Sequence, residues 1–391
     1  MGGEGGESGV AELGGEGGAL DVAGGAGGTG GGTTGGTGGT AGGTGGAPPV
    51  VDPCTTQSVG PDSKLPIPPT TGVAKPTGAV GGLKVVPWAG FKGAISYTFD
   101  DNLQSQLTHY AELNAVGVPM TFYLVCATDG SNAIWTKAAK DGHELGNHTM
   151  HHCNNNAAGP NCAWGTLFTG PDAEIDDCTA HIKSAFGVTP YTMASPYGDP
   201  NWRLPASTRF LINRGIADVG VTPESGDFFN VPCHLSNDLE AAEDIPASGT
   251  TPVIKGFNSI TDDVRAKGTW RTILVHNVDP AIPDGGYHPV KLTEMVKTMT
   301  YTKGLGDVWA DTVLSVGAYW RAQKVVSASQ AVTAGTDKTY SWTLPDNFPP
   351  GHHLRITVTG GKVTQCGTEV PWDGHGYYEI NLDAGSLTVS P

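Results

Sequence analysis

The chain has 391 residues, with Asp+Glu 38 against Lys+Arg 22 and a formal net charge of −16. That length allows one large domain and a small one. The acidic balance argues against nucleic acid or an anionic membrane as partner and suits a neutral or mildly cationic substrate. No apolar run reaches the ~20 residues needed to span a bilayer.

Residues 1–50 form a Gly/Thr-rich linker, about half glycine, with almost nothing to bury. Such a segment is expected to be disordered and to reach roughly 35–40 Å as a coil, as a tether or an inert extension would. It contains no apolar leader, so any signal peptide or lipid-bearing cysteine is expected to have preceded it. Residues 51–90 are rich in Pro and Gly and read as an irregular lead-in.

From residue 91 short apolar runs alternate with helical periodicity. Residues 94–99 read as a strand and 103–116 as a helix stopped by Gly117. A strand over 119–125 and a short helix over 134–140 follow. An amphipathic helix is predicted over 171–186, stopped by Gly187, then a helix over 204–214 and a strand over 216–221. Residues 272–276 form an apolar strand ending in histidine, and helices over 290–302 and 312–323 close a unit spanning 91–324. This order predicts an α/β fold of parallel strands covered by helices, with functional residues gathered at the C-terminal strand ends. Residues 325–391 change texture: 338–344, 353–359 and 377–382 alternate apolar and polar residues between turns. They read as a small antiparallel β module, too small for a core of its own and so expected to pack on the main domain.

Seven cysteines contain no CxxC pair, which disfavours a thiolate zinc site. Cys153 and Cys162 bracket Asn/Gly/Pro-rich sequence and suit a short disulfide loop, which an extracytoplasmic setting would favour. The odd count leaves at least one thiol unpaired.

Three strand ends carry the chemistry. Ser96-Tyr97-Thr98-Phe99-Asp100-Asp101 is a β-rich run closing on two carboxylates, one suited to a metal and the other free as a general base. Its bland alternative is that the two aspartates cap the helix that follows. In Gly142-His143-Glu144-Leu145-Gly146-Asn147-His148-Thr149-Met150-His151-His152, the spacing of His148 and His152 would set both imidazoles on one side of a helical turn. With a carboxylate from elsewhere they would make a facial metal site, although paired histidines are more often structural. His143-Glu144 begins like a zincin HExxH, but Asn147 stands at the second histidine's place, and His151 is a competing ligand of poorer spacing. Ile273-Leu274-Val275-His276 delivers one histidine from a buried strand, a core residue or a general acid.

Taken in this order on successive βα units, TFDD, HTxxH and LxH resemble the NodB-homology polysaccharide deacetylases of carbohydrate esterase family 4. The resemblance covers roughly 91–324 and includes Met120-Thr121-Phe122-Tyr123 and Asp307-Val308-Trp309-Ala310. It implies a deformed (β/α) barrel, extracytoplasmic and monomeric, that removes acetyl groups from a polysaccharide or oligosaccharide. Asp101, His148 and His152 would hold one divalent ion, Zn2+ in the first place and Co2+, Ni2+ or Mn2+ as alternatives. Asp100 would be the general base, His276 the general acid, and the backbone N–H of Tyr197 in Ser195-Pro196-Tyr197-Gly198 would face the oxyanion.

Two departures from the family pattern stand out. Ala194 occupies the place of an arginine that braces the catalytic aspartate, with Arg203 and Arg209 nearby as unassigned substitutes. Asp227-Phe228 is a weak match to an Asp-Trp motif, leaving Asp227 as a candidate partner of His276. Trp164, Trp202, Phe228 and Phe229 fall in loops where they could stack on sugars or pack inward. The residues decide neither an amide (chitin, peptidoglycan) nor an ester (acetylxylan) substrate. A catalytically impaired sugar-binding protein is the rival reading; a serine esterase is disfavoured because no G-x-S-x-G elbow occurs.

Overall fold

The computed structural model describes residues 65–391 apart from 129–131, 156–160, 164–167, 169 and 249. The glycine-rich linker, expected to be disordered, lies outside the described residues.

The central unit is a mostly parallel sheet nearly closed into a barrel. Its strands are β2 (Ala94–Asp100), β3 (Thr121–Leu124), β4 (Glu144–Asn147), β5 (Thr192–Ala194), β6 (Ile212–Arg214), β7 (Cys233–Leu235), β8 (Trp270–Val275) and β9 (Trp309–Ala310). A further strand, β1 (Lys84–Val85), precedes them and belongs to a different sheet. The strand order is β6-β5-β4-β3-β2-β8-β7, with β9 also paired to β2. Every ladder in it is parallel. Asn213 of β6 exchanges backbone hydrogen bonds with Phe228 and Val231, just ahead of β7, which draws the two edges together. Each residue of β2 is buried, as a central parallel strand covered on both faces requires.

The intervening helices are α1 (Gln104–Thr108), α2 (Tyr110–Ala115), α3 (Ala133–Lys140), α4 (Pro171–Phe186), α5 (Arg203–Ser207), α6 (Phe257–Lys267), α7 (Leu292–Leu305) and α8 (Val313–Ser327). The expected helix over 103–116 is broken at His109, whose φ of −102° and ψ of 14° fall outside the helical well. The expected helix over 204–214 ends early: α5 stops at Ser207 and the chain becomes β6. No strand forms over 216–221, where only Val221 makes an isolated bridge to Trp270. The polar Asn213-Arg214 pair hides the strand character of β6, because its burial depends on partners elsewhere in the chain. Strands β4, β5 and β7 also escape the sequence pattern, being three or four residues long. In β4, Gly146 packs so closely on the Tyr123 ring that a Cβ there would overlap it.

Two antiparallel sheets follow. One, ordered β10-β11-β17-β13-β14, joins β10 (Val332–Ala334), β11 (Asp337–Ser341), β17 (Ser386–Ser390), β13 (Lys362–Gln365) and β14 (Thr368–Glu369). The other, ordered β1-β12-β16-β15, joins β1 with β12 (His353–Thr357), β16 (Tyr377–Asn381) and β15 (Trp372–Asp373). The lead-in thus contributes a strand to the C-terminal module. One apolar core runs from Trp270, Trp309, Tyr319 and Trp320 into Leu354, Ile356, Tyr378 and Val389. Buried Arg355 ties it to the lead-in, pairing with Glu379 at 3.0 Å and donating to the Ala89 carbonyl at 2.7 Å. The module's core is continuous with that of α8 and the barrel floor.

Disulfides join Cys126 to Cys178 and Cys153 to Cys162, the second as the sequence suggests, and Cys366 is also disulfide-bonded. Cys233 is a buried free thiol. No helix among the described residues is long and apolar enough to cross a membrane.

Candidate active site

The C-terminal ends of five barrel strands converge. Past β2 the chain turns through two left-handed residues, Asp101 (φ 74°) and Asn102 (φ 46°). Such φ values are costly for residues with a Cβ and persist where surroundings impose them. Here Asn102 accepts from the Val125 N–H at 2.8 Å and donates to Thr128 at 3.1 Å. Helix α1 has Leu103 as its N-cap and no side-chain cap bond, so the two aspartates are not spent on capping. Buried Gln106 donates its amide to the carbonyls of both Asp100 (2.5 Å) and His276 (2.8 Å), pinning the ends of β2 and β8 together.

Beyond β4, His148 and His152 do not share a helical turn. They sit on a loop whose Thr149 (φ 63°) and His152 (φ 52°) are left-handed, and this folding back brings the two rings within 4.7 Å. Asn147 holds the loop by accepting from the Thr149 N–H and donating to the Ile175 carbonyl of α4. His148 Nδ1 lies 2.9 Å from the Ala194 carbonyl, which accepts only if that nitrogen carries the proton. In the neutral ring Nε2 then turns its lone pair to the site, the arrangement metal-ligating histidines share.

The ligand atoms of Asp101, His148 and His152 lie within 4.8 Å of one another. Asp101 Oδ1 is 3.4 Å from His148 Nε2 and 3.5 Å from His152 Nε2. It is buried without a hydrogen-bond partner among the described residues. Ligands at ~2.1 Å from a tetrahedral ion stand about 3.4 Å apart, so this carboxylate and these imidazoles fit a small divalent cation. His276 Nε2 is 4.0 Å from Asp101 Oδ2, and its own Nδ1 is buried without a partner among the described residues. Tyr197, at φ 58° in the turn after β5, sets its ring 4.5 Å from that of His152.

Asp100 is buried, and the guanidinium of Arg214 at the end of β6 forms an ion pair with it. Arg214 is itself buried, lies over the Tyr123 ring at 5.3 Å and donates to the Gly215 carbonyl at 3.2 Å. The brace that Ala194 lacks is thus supplied one strand further along. Neither Arg203 nor Arg209 reaches the site: the first pairs with Asp227 at 2.6 Å and the second with Asp176 at 2.7 Å, both at the surface. That pairing also corrects the suggestion that Asp227 partners His276.

Burial alone would raise the Asp101 carboxyl, but neighbouring His148, His152 and His276 hold it well below the usual range. Burial would push His148 down, and the charges of Asp100 and Asp101 overcome it and raise that ring instead. His152 is pushed down to about 3 by burial and by His148, so it stays neutral with a lone pair to donate. Burial likewise lowers His276.

The other histidines of this stretch are structural. His151 pairs with Glu174 at 2.8 Å, turned away from the cluster. His143 accepts from the Met120 N–H at 3.1 Å, and Glu144 accepts from Thr121, Thr192 and the Leu314 N–H. Of the aromatics read as possible sugar contacts, Trp202 is fully buried and donates to the Cys153 carbonyl. Phe228 packs on Trp320 at 4.5 Å, and both Phe228 and Phe229 lie under Arg321. Trp164 lies outside the described residues.

Sequence reasoning missed Arg214 and Gln106. A signal existed for Arg214, an arginine closing an apolar run, Phe210-Leu211-Ile212-Asn213-Arg214, but only a strand reading of 212–214 would place it at a barrel mouth.

Fold and cluster together define the class: a parallel barrel carrying a candidate cation site, with further acid–base groups, at its C-terminal strand ends. Residues 90–211 match the family model for polysaccharide deacetylase. Among curated proteins, the chain is 23% identical over 343 residues to a gellan lyase of Bacillus sp, covering 80% of this chain. The match spans only 13% of that relative's length. Similar solved structures include a putative polysaccharide deacetylase from Mycobacterium smegmatis (18% identity, 68% of this chain and 99% of that one, TM-score 0.43). Others are a peptidoglycan deacetylase from Bacillus subtilis (18%, 57% and 89%, 0.32) and a family 4 acetyl xylan esterase from Clostridium thermocellum with a cobalt ion (21%, 56% and 98%, 0.28).

Proposed function

We propose that the protein is a metal-dependent hydrolase that removes acetyl groups from a polysaccharide outside the cytoplasm. The observation that carries this reading is Asp101 Oδ1 standing 3.4 Å and 3.5 Å from two imidazole nitrogens, with Asp100 and His276 at its flanks. Asp101, His148 and His152 hold one divalent cation, zinc being the first choice for two nitrogens and an oxygen. Such an ion, when bound, supplies Lewis acidity and acidifies water at the site towards a pKa of ~7.

The remaining work falls to the chain. Asp100, oriented by its ion pair with Arg214, takes the proton of the attacking water. His276, in its imidazolium form, passes its proton to the departing nitrogen or oxygen and is left as the neutral ring. The Tyr197 N–H faces the oxyanion as the carbonyl becomes tetrahedral. An acetamide and an acetyl ester present the same carbonyl carbon to this arrangement. The substrate class therefore covers N-acetylglucosamine polymers such as chitin or peptidoglycan and O-acetylated glycans such as xylan. Disulfides at Cys126–Cys178 and Cys153–Cys162 support an oxidising compartment. The rival reading of a silent sugar-binding protein rested on the missing arginine, and the Arg214–Asp100 pair removes that motive.

The test is acetate release from acetylxylan, chito-oligosaccharides and peptidoglycan side by side, with and without chelator, on the wild type and on Asp101→Ala. We expect release from at least one substrate, lost on chelation and restored by Zn2+. Asp101→Ala should retain no stoichiometric metal after dialysis. Chelator-resistant release would overturn the metal assignment, and no release from any acetylated glycan would overturn the function.

A further inference from the structure

Among the described residues, the exposed large apolar side chains are nearly all aliphatic; only two are aromatic, Tyr197 at 50% and Tyr287 at 58% exposure. Each lies against a histidine of the candidate active site. The Tyr197 ring is 4.5 Å from that of His152, and the Tyr287 ring meets His276 edge-on at 6.0 Å. They come from different loops, after β5 and after β8. The exposed aromatic surface of the described chain is thus concentrated at the mouth of one site.

Tyr287 is exposed yet not loose. Asp284 accepts from the Ser105 N–H (2.8 Å), the Gly286 N–H (3.2 Å) and the Asn277 amide (2.5 Å), fastening its loop to α1 and to the end of β8. Gly286 lies so close to Asn277 and Leu103 that a Cβ there would displace them. On the other side, His288 pairs with Asp238 at 2.9 Å, and the Leu239 N–H donates to the Pro289 carbonyl at 2.8 Å. The His288 ring packs against Tyr287 with centroids 3.8 Å apart. A large apolar ring held rigid in water contributes little to folding. It loses little entropy when something packs on it, which is the property of a binding platform.

We infer that Tyr287 is a substrate-positioning residue: its ring is the platform on which one pyranose unit of the glycan stacks, placing the acetyl group of that or the adjoining unit between His276 and the Asp101 cluster. The inference rests on the deacetylase reading and adds to it the residue that makes the site require a carbohydrate rather than any acetyl compound. Pyranose rings carry a face of C–H groups that packs on aromatic carbon, and such stacking contributes about a factor of ten in binding, or about 1.4 kcal/mol. The negatively charged neighbours Asp238 and Asp284 argue for a glycan without acidic groups at this position.

The experiment measures kcat and KM for acetate release from chitotetraose and from acetylated xylotetraose, using whichever the wild type hydrolyses, with Tyr287→Ala, Tyr287→Phe and Tyr287→Trp. Metal content is measured on each. Expected is a ~10-fold rise in KM for Tyr287→Ala with kcat changed less than threefold and full metal content, and a KM within threefold of wild type for Phe and Trp. A KM unchanged in Tyr287→Ala overturns the platform. So does a loss confined to kcat, or a loss that Phe fails to rescue, which would point to the hydroxyl. A wild type that releases no acetate defeats the deacetylase reading instead.

Discussion

Arg214, at the end of β6, reaches across the barrel mouth to form a buried ion pair with Asp100 at the end of β2, 114 residues earlier in the chain. Burying a carboxylate without a partner costs several kcal/mol, and an arginine that satisfies it must be equally dry to keep the pairing strong. Arg214 therefore gives Asp100 its ion-pair partner and fixes its direction, leaving Oδ1 with no hydrogen-bond partner among the described residues.

Replacing Arg214 with Met should strand that carboxylate, costing about 3–5 kcal/mol of stability. Arg214→Lys keeps the charge without the planar fork, so the fold should survive while turnover falls ~10–100-fold through loss of orientation. Thermal unfolding and kcat measurements check both. A kcat unchanged in Arg214→Lys would make the residue purely structural.

His276 tests the chemistry through the leaving group. If it protonates the departing atom, His276→Ala should lose ~10²–10⁴-fold on an acetylated sugar, whose amine or alkoxide leaves poorly. The same variant should lose far less on 4-nitrophenyl acetate, whose phenolate needs no proton. Equal losses on the two substrates would assign His276 to some other task.

Acid sensitivity should trace in part to His143, away from the Asp101, His148 and His152 cluster. Burial pushes this ring down to about 4, against an ordinary value near 6.5. The unfolded chain takes up a proton as pH falls through 6.5, whereas the folded chain resists until about 4. The neutral ring's contribution is therefore present above 6.5 and lost on acidification through that window, up to roughly 3 kcal/mol. His143→Gln should flatten the stability curve between pH 6.5 and 4 relative to wild type. Parallel curves from chemical denaturation would refute the assignment.

The sequence alone determined the parts whose cause is local. β2 and β8 are legible because strands buried on both faces must be apolar throughout, and α4 and α7 because their periodicity is long and a left-handed glycine ends each. Asp100, Asp101, His148, His152 and His276 are legible because parallel barrels put reactive side chains just past such strands. The tertiary structure decided what depends on remote partners. β6 is a strand because its backbone pairs with β5 and with Phe228 and Val231, partners remote from the local sequence, and Arg214 is buried there because Asp100 lies opposite it. His148 and His152 converge through two left-handed residues in a loop held by α4, not through helical spacing. Which arginine braces Asp100, and which two tyrosines stand in water beside the histidines, follow from distances between strands that no local pattern encodes.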